Sequence, residues 1–148
     1  SAFIQSGTVV TEDFGGDHQQ VYDANGKYAD IQVPIVVLVN EGSASASELL
    51  AGALQDRDVA TIIGTVTVGK GTVQSWRELV NGGGIRLTIA RWLTPGGRWI
   101  HEQGITPDIT VPWDDRSFAP NEDDPQLDAA AHYLESLVVE PGVEAVTQ

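Results

Sequence analysis

The sequence predicts an α/β fold, in which a helix connects two neighbouring strands of a parallel sheet. IVVLV at residues 35–39 is a short run of mostly β-branched apolar residues between Pro34 and Asn40, which is typical of a strand buried on both faces. Residues 48–56 follow with apolar or small side chains at helical spacing, and VATIIG at 59–64 is a second apolar run. A strand, a helix and a strand in this order form the repeating unit of α/β folds.

Further strands are predicted on both sides of this unit. The first two flank a Gly15-Gly16 turn, and the next two flank NGGG at 81–84, where glycine supplies the positive φ values of tight turns. TPGG at 94–97 predicts another turn. These additional strands are expected over residues 8–11, 19–23, 73–79, 84–92, 98–100 and 108–111.

The C-terminal part differs in composition from the rest. We divide the chain into residues 1–113, an acidic linker at 114–124, and a helix with a tail at 125–148. Asp124 and Pro125 are typical of an N-cap and a first helical residue, and the helix is expected to continue to about Leu137. Its apolar stripe is predicted to consist of Leu127, Ala130, Ala131 and Leu134.

Composition limits the possible functions. The 148 residues correspond to one domain, and the net charge of −13 disfavours binding to nucleic acids or anionic membranes. The absence of cysteine excludes disulfides and thiolate metal sites. No run of 18 apolar residues is present. The chain contains no methionine, so we expect Ser1 to be a cut within a longer protein.

Three alternating serines precede the first predicted helix, in NEGSASASELLAGALQD at residues 40–56. Ser45 and Glu48 fit the capping-box pattern S-x-x-E, in which both side chains bind free amides of the first turn. The same position also suits a nucleophile, because a hydroxyl between a buried strand and a helix lies beside free N–H groups that can stabilise an oxyanion. The local pattern favours the cap and leaves the nucleophile open.

A serine nucleophile needs a base. His18, His101 and His132 lie in segments that predict surface positions, and no G-x-S-x-G motif surrounds the serines. Of the two lysines, Lys27 is in an Asn-Gly turn, whereas Lys70 lies in TVTVGKGTVQ between glycines and valines. To act as a base near neutral pH, a lysine must lose a proton that it holds up to about pH 10.4 in water, and apolar surroundings favour that loss.

The lysine segment also has the spacing of a phosphate-binding loop. Gly64, Gly69 and Lys70 match G-x-x-x-x-G-K. However, Gly71 stands where serine or threonine would hold magnesium, and TVQSW after it favours a strand over the required helix. A nucleotide site is therefore not predicted.

Longer segments resemble the carboxyl-terminal processing peptidases of family S41, also called tail-specific proteases. They are PIVVLVNEGSASASELLAGALQD, GTVTVGKGTVQ and RLTIARWLTPGGRWIHEQGITPDITV, and the resemblance runs from about residue 7 to 137. In that family a lysine in F-G-K-G follows the serine of S-A-S-A-S-E by 25 residues, and a glutamine lies four further on. Here Lys70 follows Ser45 by 25 residues and Gln74 follows Lys70 by four, while Val68 replaces the phenylalanine.

The resemblance implies a role for each matching residue. Ser45 would be the nucleophile and Lys70 the general base, with Gln74 orienting the lysine amine. The N–H of Ala46 would donate to the oxyanion. Supporting roles would fall to the acidic residues, Glu48 capping the helix start and Asp56 orienting backbone near its end.

The resemblance also implies the wider setting. The fold would be a fragment of a ClpP/crotonase-like protease core without metal or cofactor, cleaving proteins near flexible, apolar C-terminal tails outside the cytoplasm. A PDZ domain and the strand that supplies the second oxyanion amide would lie upstream, so the fragment is expected to be inactive alone. The alternative is an apolar-ligand or interaction module on the same fold, as in retinoid-binding relatives, for which a degenerate Ser/Lys pair is expected. The oligomeric state is not predicted.

Overall fold

The computed structural model describes residues 2–112 and 124–138. The predicted linker, apart from Asp124, and the predicted tail after Val138 lie outside these residues. In the described part the chain forms two sheets and two helices. The elements are β1 (Thr8–Asp13), β2 (Gln19–Asp23), β3 (Val36–Val39), α1 (Ala46–Asp56), β4 (Thr61–Gly64), β5 (Thr72–Glu78), β6 (Gly84–Leu93), β7 (Ile109–Thr110) and α2 (Pro125–Val138).

The smaller sheet is parallel and has the order β3-β4-β7. Helix α1 connects β3 to β4, so the predicted strand–helix–strand unit is confirmed. The prediction that the first strand is buried on both faces is wrong, because Leu38 is 39% exposed. Among the described strands β3 pairs only with β4, which leaves it at an edge of the sheet.

The larger sheet is antiparallel and has the order β2-β1-β6-β5. Both predicted hairpins are present, and the register of β5 against β6 shifts between Val73 and Gln74. Residues 98–100 do not form the predicted strand. Only an isolated bridge between Trp99 and Leu93 is found there, because the TPGG turn brings the chain back for one residue pair.

The core lies between α1 and the parallel sheet. Ile62 and Leu54 are almost completely buried in two adjoining clusters. Gly52 allows α1 to approach closely, since a Cβ there would come within 2.9 Å of both Ile105 and Thr94. This contact holds α1 against the chain segments between β6 and β7.

Helix α2 begins as predicted but buries a different face. Asp124 Oδ1 accepts the N–H groups of Gln126 and Leu127, which confirms the N-cap. The predicted stripe is wrong in part, because Leu127 is 56% exposed while Gln126 is buried with Ala130. Gln126 Nε2 donates to Val111 O at 2.9 Å, so a polar contact turns this face towards the body of the protein.

Candidate active site

Ser45 lies between the C-terminal end of β3 and the start of α1. Its backbone has φ 57° and ψ −116°, a conformation that residues other than glycine rarely adopt and that often accompanies functional sites. The neighbouring serines are engaged locally. Ser43 Oγ accepts the N–H of Asn40 at 3.2 Å, and Ser47 Oγ donates to Ala44 O at 2.7 Å.

The predicted capping box is present, and the Glu48 side chain binds the backbone N–H of Ser45. Glu48 Oε2 accepts the N–H of Ser45 at 2.7 Å. The Ser45 side chain faces the N–H of Glu48 as the other half of the box. Glu48 therefore holds the backbone of Ser45, and the Ser45 hydroxyl lies beside the first turn of α1.

The same carboxylate also binds the lysine loop, residues 67–71. Oε2 accepts the N–H of Lys70 at 2.9 Å, while Oε1 accepts the N–H of Gly69 at 2.6 Å and the hydroxyl of Thr67 at 2.5 Å. Glu48 is 0% exposed. One buried side chain thus joins the segments of Ser45 and Lys70, which lie 25 residues apart in sequence.

These bonds determine the ionisation of Glu48. Burial alone would raise its pKa, because it disfavours the charged form. The hydrogen bonds from Thr67, Lys70, Gly69 and Ser45 outweigh burial and hold the pKa below its ordinary value. The ionised carboxylate is therefore the form that the site stabilises.

The glycines on either side of Lys70 are explained by close backbone packing. Gly69 has φ +80°, and a Cβ there would lie 2.8 Å from Gly104 N. A Cβ on Gly71 would lie 2.6 Å from His101 N. The amides of Gly69 and Lys70 donate to Glu48, so these two N–H groups are already paired within the protein.

A main-chain bond also joins the two segments. The N–H of Val68 donates to Ser43 O at 3.0 Å. Lys70 is nevertheless exposed, and Val66 and Val68 are 44% and 51% exposed. The described residues therefore do not supply the apolar surroundings that the sequence predicted for Lys70.

Ala46 and Gln74 are near the two segments in sequence, Ala46 directly after Ser45 and Gln74 four residues after Lys70. Ala46 is the first residue of α1, where main-chain N–H groups have no partner within the helix. Gln74 is exposed on β5, next to the register shift in its pairing with β6. Such an irregularity changes the direction of nearby side chains.

Asp56 ends α1 and binds the turn after β6. Its Oδ2 accepts the N–H of Gly96 at 2.7 Å, and Oδ1 accepts a hydrogen bond from Arg98. These contacts lie at the end of the helix remote from Ser45. Asp56 thus binds the backbone of the turn after β6, and its supporting role in the site stays a prediction.

Sequence reasoning missed Thr67, Trp99 and His101. Thr67 binds Glu48, while Trp99 Nε1 and the His101 ring contact the carbonyls beside Lys70. His101 was predicted to be a surface residue, but it is partly buried. The local pattern contained no signal for these contacts, because they join residues 19 to 32 positions apart.

In residues 2–112 and 124–138, no three His, Asp or Glu side chains are arranged to hold a metal ion. Neither described helix combines the length and the apolar character needed to cross a bilayer.

The sequence model of peptidase family S41 matches residues 1–111. The chain belongs to peptidase family S41. The resemblance found in the sequence is thereby confirmed.

Curated S41 relatives include bacterial processing proteases. The carboxyl-terminal-processing protease of Synechocystis is 52% identical over 101 residues, which cover 68% of this chain and 23% of that protein. A probable CtpA-like serine protease of Staphylococcus aureus is 44% identical over 111 residues, 74% of this chain and 22% of that protein. The chain thus spans about a quarter of the length of these relatives.

Solved structures show the same fold. The photosystem II D1 C-terminal processing protease matches 90% of this chain and 33% of its own, with a TM-score of 0.71 and 35% identity. A lipoprotein from Streptococcus agalactiae, 16% identical, also has a TM-score of 0.71 over 93% of this chain and 47% of its own. The second likeness concerns the fold alone. The mixed α/β fold is therefore that of S41 protease structures.

Proposed function

We propose that this chain carries the Ser-Lys catalytic centre of a serine endopeptidase that cleaves proteins at or near their C-terminal tails. The observation that carries the proposal is the Glu48 carboxylate, which accepts the N–H groups of both Ser45 and Lys70. The strained backbone of Ser45 supports it further, because such conformations are maintained where the surrounding structure requires them.

In the proposed mechanism Ser45 is the nucleophile and Lys70 the general base. Neutral Nζ takes the hydroxyl proton as Oγ bonds to the peptide carbonyl carbon, and the N–H of Ala46 stabilises the resulting oxyanion. The C–N bond then breaks, and Nζ returns its proton to the departing amine. Water next attacks the acyl-enzyme and gives a proton to Nζ, and the acid product leaves as Oγ is protonated again.

Two further residues would position these groups. Gln74 orients the lysine amine, and Asp56 keeps the backbone at the end of α1 in place. Because Lys70 is exposed among the described residues, its apolar cover would come from other parts of the full-length protein. The second oxyanion donor would come from there as well, so we expect this chain alone to be inactive.

The wider assignments follow from the family. We infer a ClpP/crotonase-like core, protein or peptide substrates with flexible apolar C-termini, and an upstream PDZ domain. Relatives named as C-terminal processing proteases support protein substrates that are cleaved near their C-termini. We also propose a location outside the cytoplasm, in the periplasm, the cell envelope or the medium.

Peptide cleavage by the full-length protein tests the mechanism. Ser45→Ala and Lys70→Ala are each expected to reduce kcat by at least about 10³-fold, because nucleophile and base act as one unit. Ser43→Ala and Ser47→Ala serve as matched controls and should keep near wild-type activity. Retained activity in Ser45→Ala or Lys70→Ala would exclude the Ser-Lys mechanism.

A further inference from the structure

The carbonyl groups on either side of Lys70 bind two aromatic side chains that the proposed mechanism does not use. Gly71 O accepts a hydrogen bond from Trp99 Nε1 at 3.0 Å. Gly69 O lies 3.2 Å from His101 Nδ1. Since a carbonyl oxygen only accepts, Nδ1 must carry the proton of this imidazole. Side-chain donors therefore hold the Gly69–Lys70 peptide group and, one residue further on, the Gly71–Thr72 peptide group.

Each of these carbonyls also has a main-chain partner. The N–H of Glu102 donates to Gly69 O at 2.9 Å, and the N–H of Trp92 donates to Gly71 O at 3.0 Å. Loss of an aromatic donor would therefore leave the main-chain bond in place. The aromatic side chains add a second constraint on the loop without being its only attachment.

The two rings are themselves held in position. Trp99 and His101 lie with their centroids 5.3 Å apart, and the guanidinium of Arg91 lies 5.5 Å from the centroid of Trp99. Arg91 in turn pairs with the buried Asp13 at 2.7 Å. Ring contacts and a cation–π contact restrict both side chains, which suits groups that must hold another segment in one place.

We propose that Trp99 and His101 are positioning residues for Lys70, an inference that rests on the proposed function. Glu48 holds the lysine loop through its amides, and the two aromatic side chains hold it through its carbonyls. Together they fix the direction in which the Lys70 side chain leaves the backbone. A displacement of a catalytic group by about 1 Å can lower the rate by about 10²-fold, so both sets of contacts affect kcat.

The experiment compares variants of the full-length protein in peptide cleavage. Trp99→Phe and His101→Phe keep a ring but lose the donor, and each is expected to lower kcat about tenfold while KM stays within about twofold. His101→Asn restores most of the activity, because its Nδ2 can take the place of the imidazole Nδ1. The matched controls are Trp76→Phe, at an exposed tryptophan of β5, and His132→Phe, at an exposed histidine of α2.

A second measurement does not depend on activity. The N–H of Lys70, which is bonded to Glu48, should exchange with solvent deuterium about tenfold faster in Trp99→Phe and His101→Phe than in the controls, since opening of the loop exposes it. Wild-type kcat and wild-type exchange in both variants would overturn this inference while leaving the proposed function intact. Activity in Ser45→Ala would instead exclude the proposed function.

Discussion

Replacing Glu48 by glutamine keeps the shape of the side chain but removes its charge and one acceptor oxygen. Oε1 accepts hydrogen bonds from Thr67 and Gly69, and Oε2 accepts them from Ser45 and Lys70. Whichever way the new amide is oriented, two of the four donors lose their acceptor. Hydrogen bonds to a charged group contribute about 1.5–3 kcal/mol each, so we expect the free energy of unfolding to fall by about 3–6 kcal/mol.

Urea unfolding followed by tryptophan fluorescence measures this loss, since the chain contains four tryptophans. Glu78→Gln is the matched control. Glu78 is exposed on β5, and its substitution should change the free energy of unfolding by less than about 0.5 kcal/mol. A loss below about 1 kcal/mol for Glu48→Gln would refute the reasoning, because the carboxylate would then not be the acceptor that holds the two segments.

Three further predictions concern stability. Folding lowers the pKa of Glu48 below its ordinary value of 4.5. The charged carboxylate therefore stabilises the protein at pH values above 4.5, and this stabilisation is lost as the pH falls through the pKa of the folded state. The difference in urea midpoint between wild type and Glu48→Gln should therefore narrow below about pH 4.5. Ser45→Gly should raise the free energy of unfolding by about 1 kcal/mol by relieving the positive φ, whereas Ser45→Ala should not, and an equal gain in both would contradict this. Gly71→Ala places a Cβ 2.6 Å from His101 N, while Gly82 has φ +80° and open space around it. Differential scanning calorimetry should show that Gly71→Ala lowers the free energy of unfolding by more than the roughly 1 kcal/mol expected for Gly82→Ala.

The order of elements could be predicted because it depends on local signals, such as the apolar runs that predict the strands of the parallel sheet. Ser45 and Lys70 were singled out by the resemblance to family S41, whose serine and lysine have the same 25-residue spacing. The capping pattern identified Glu48, but only as a local cap. Three of its four hydrogen bonds reach residues 19 to 22 positions away, and no local pattern reports contacts of that range.

The two wrong predictions of burial, for β3 and for α2, also arise because local patterns do not report contacts with distant segments. Leu38 was expected to be buried because the run around it is apolar, but its burial depends on what covers the face of the sheet to which its side chain points. The apolar stripe of α2 was predicted from spacing, whereas the hydrogen bond from Gln126 to Val111 O and the contact of Tyr133 with Thr61 determine which face turns inward. Polar contacts between distant segments thus overrode the periodicity of hydrophobic residues.

The edge position of β3 has a consequence for the solution behaviour of this chain. Among the described strands only one side of Val36–Val39 is paired, and the segment contains neither charge nor proline. Such an edge is a template for pairing with a second copy. The net charge of −13 keeps copies apart by repulsion, and salt screens that repulsion. Colloidal stability of the isolated chain should therefore decrease as ionic strength rises, and a lysine at position 38 should restore it.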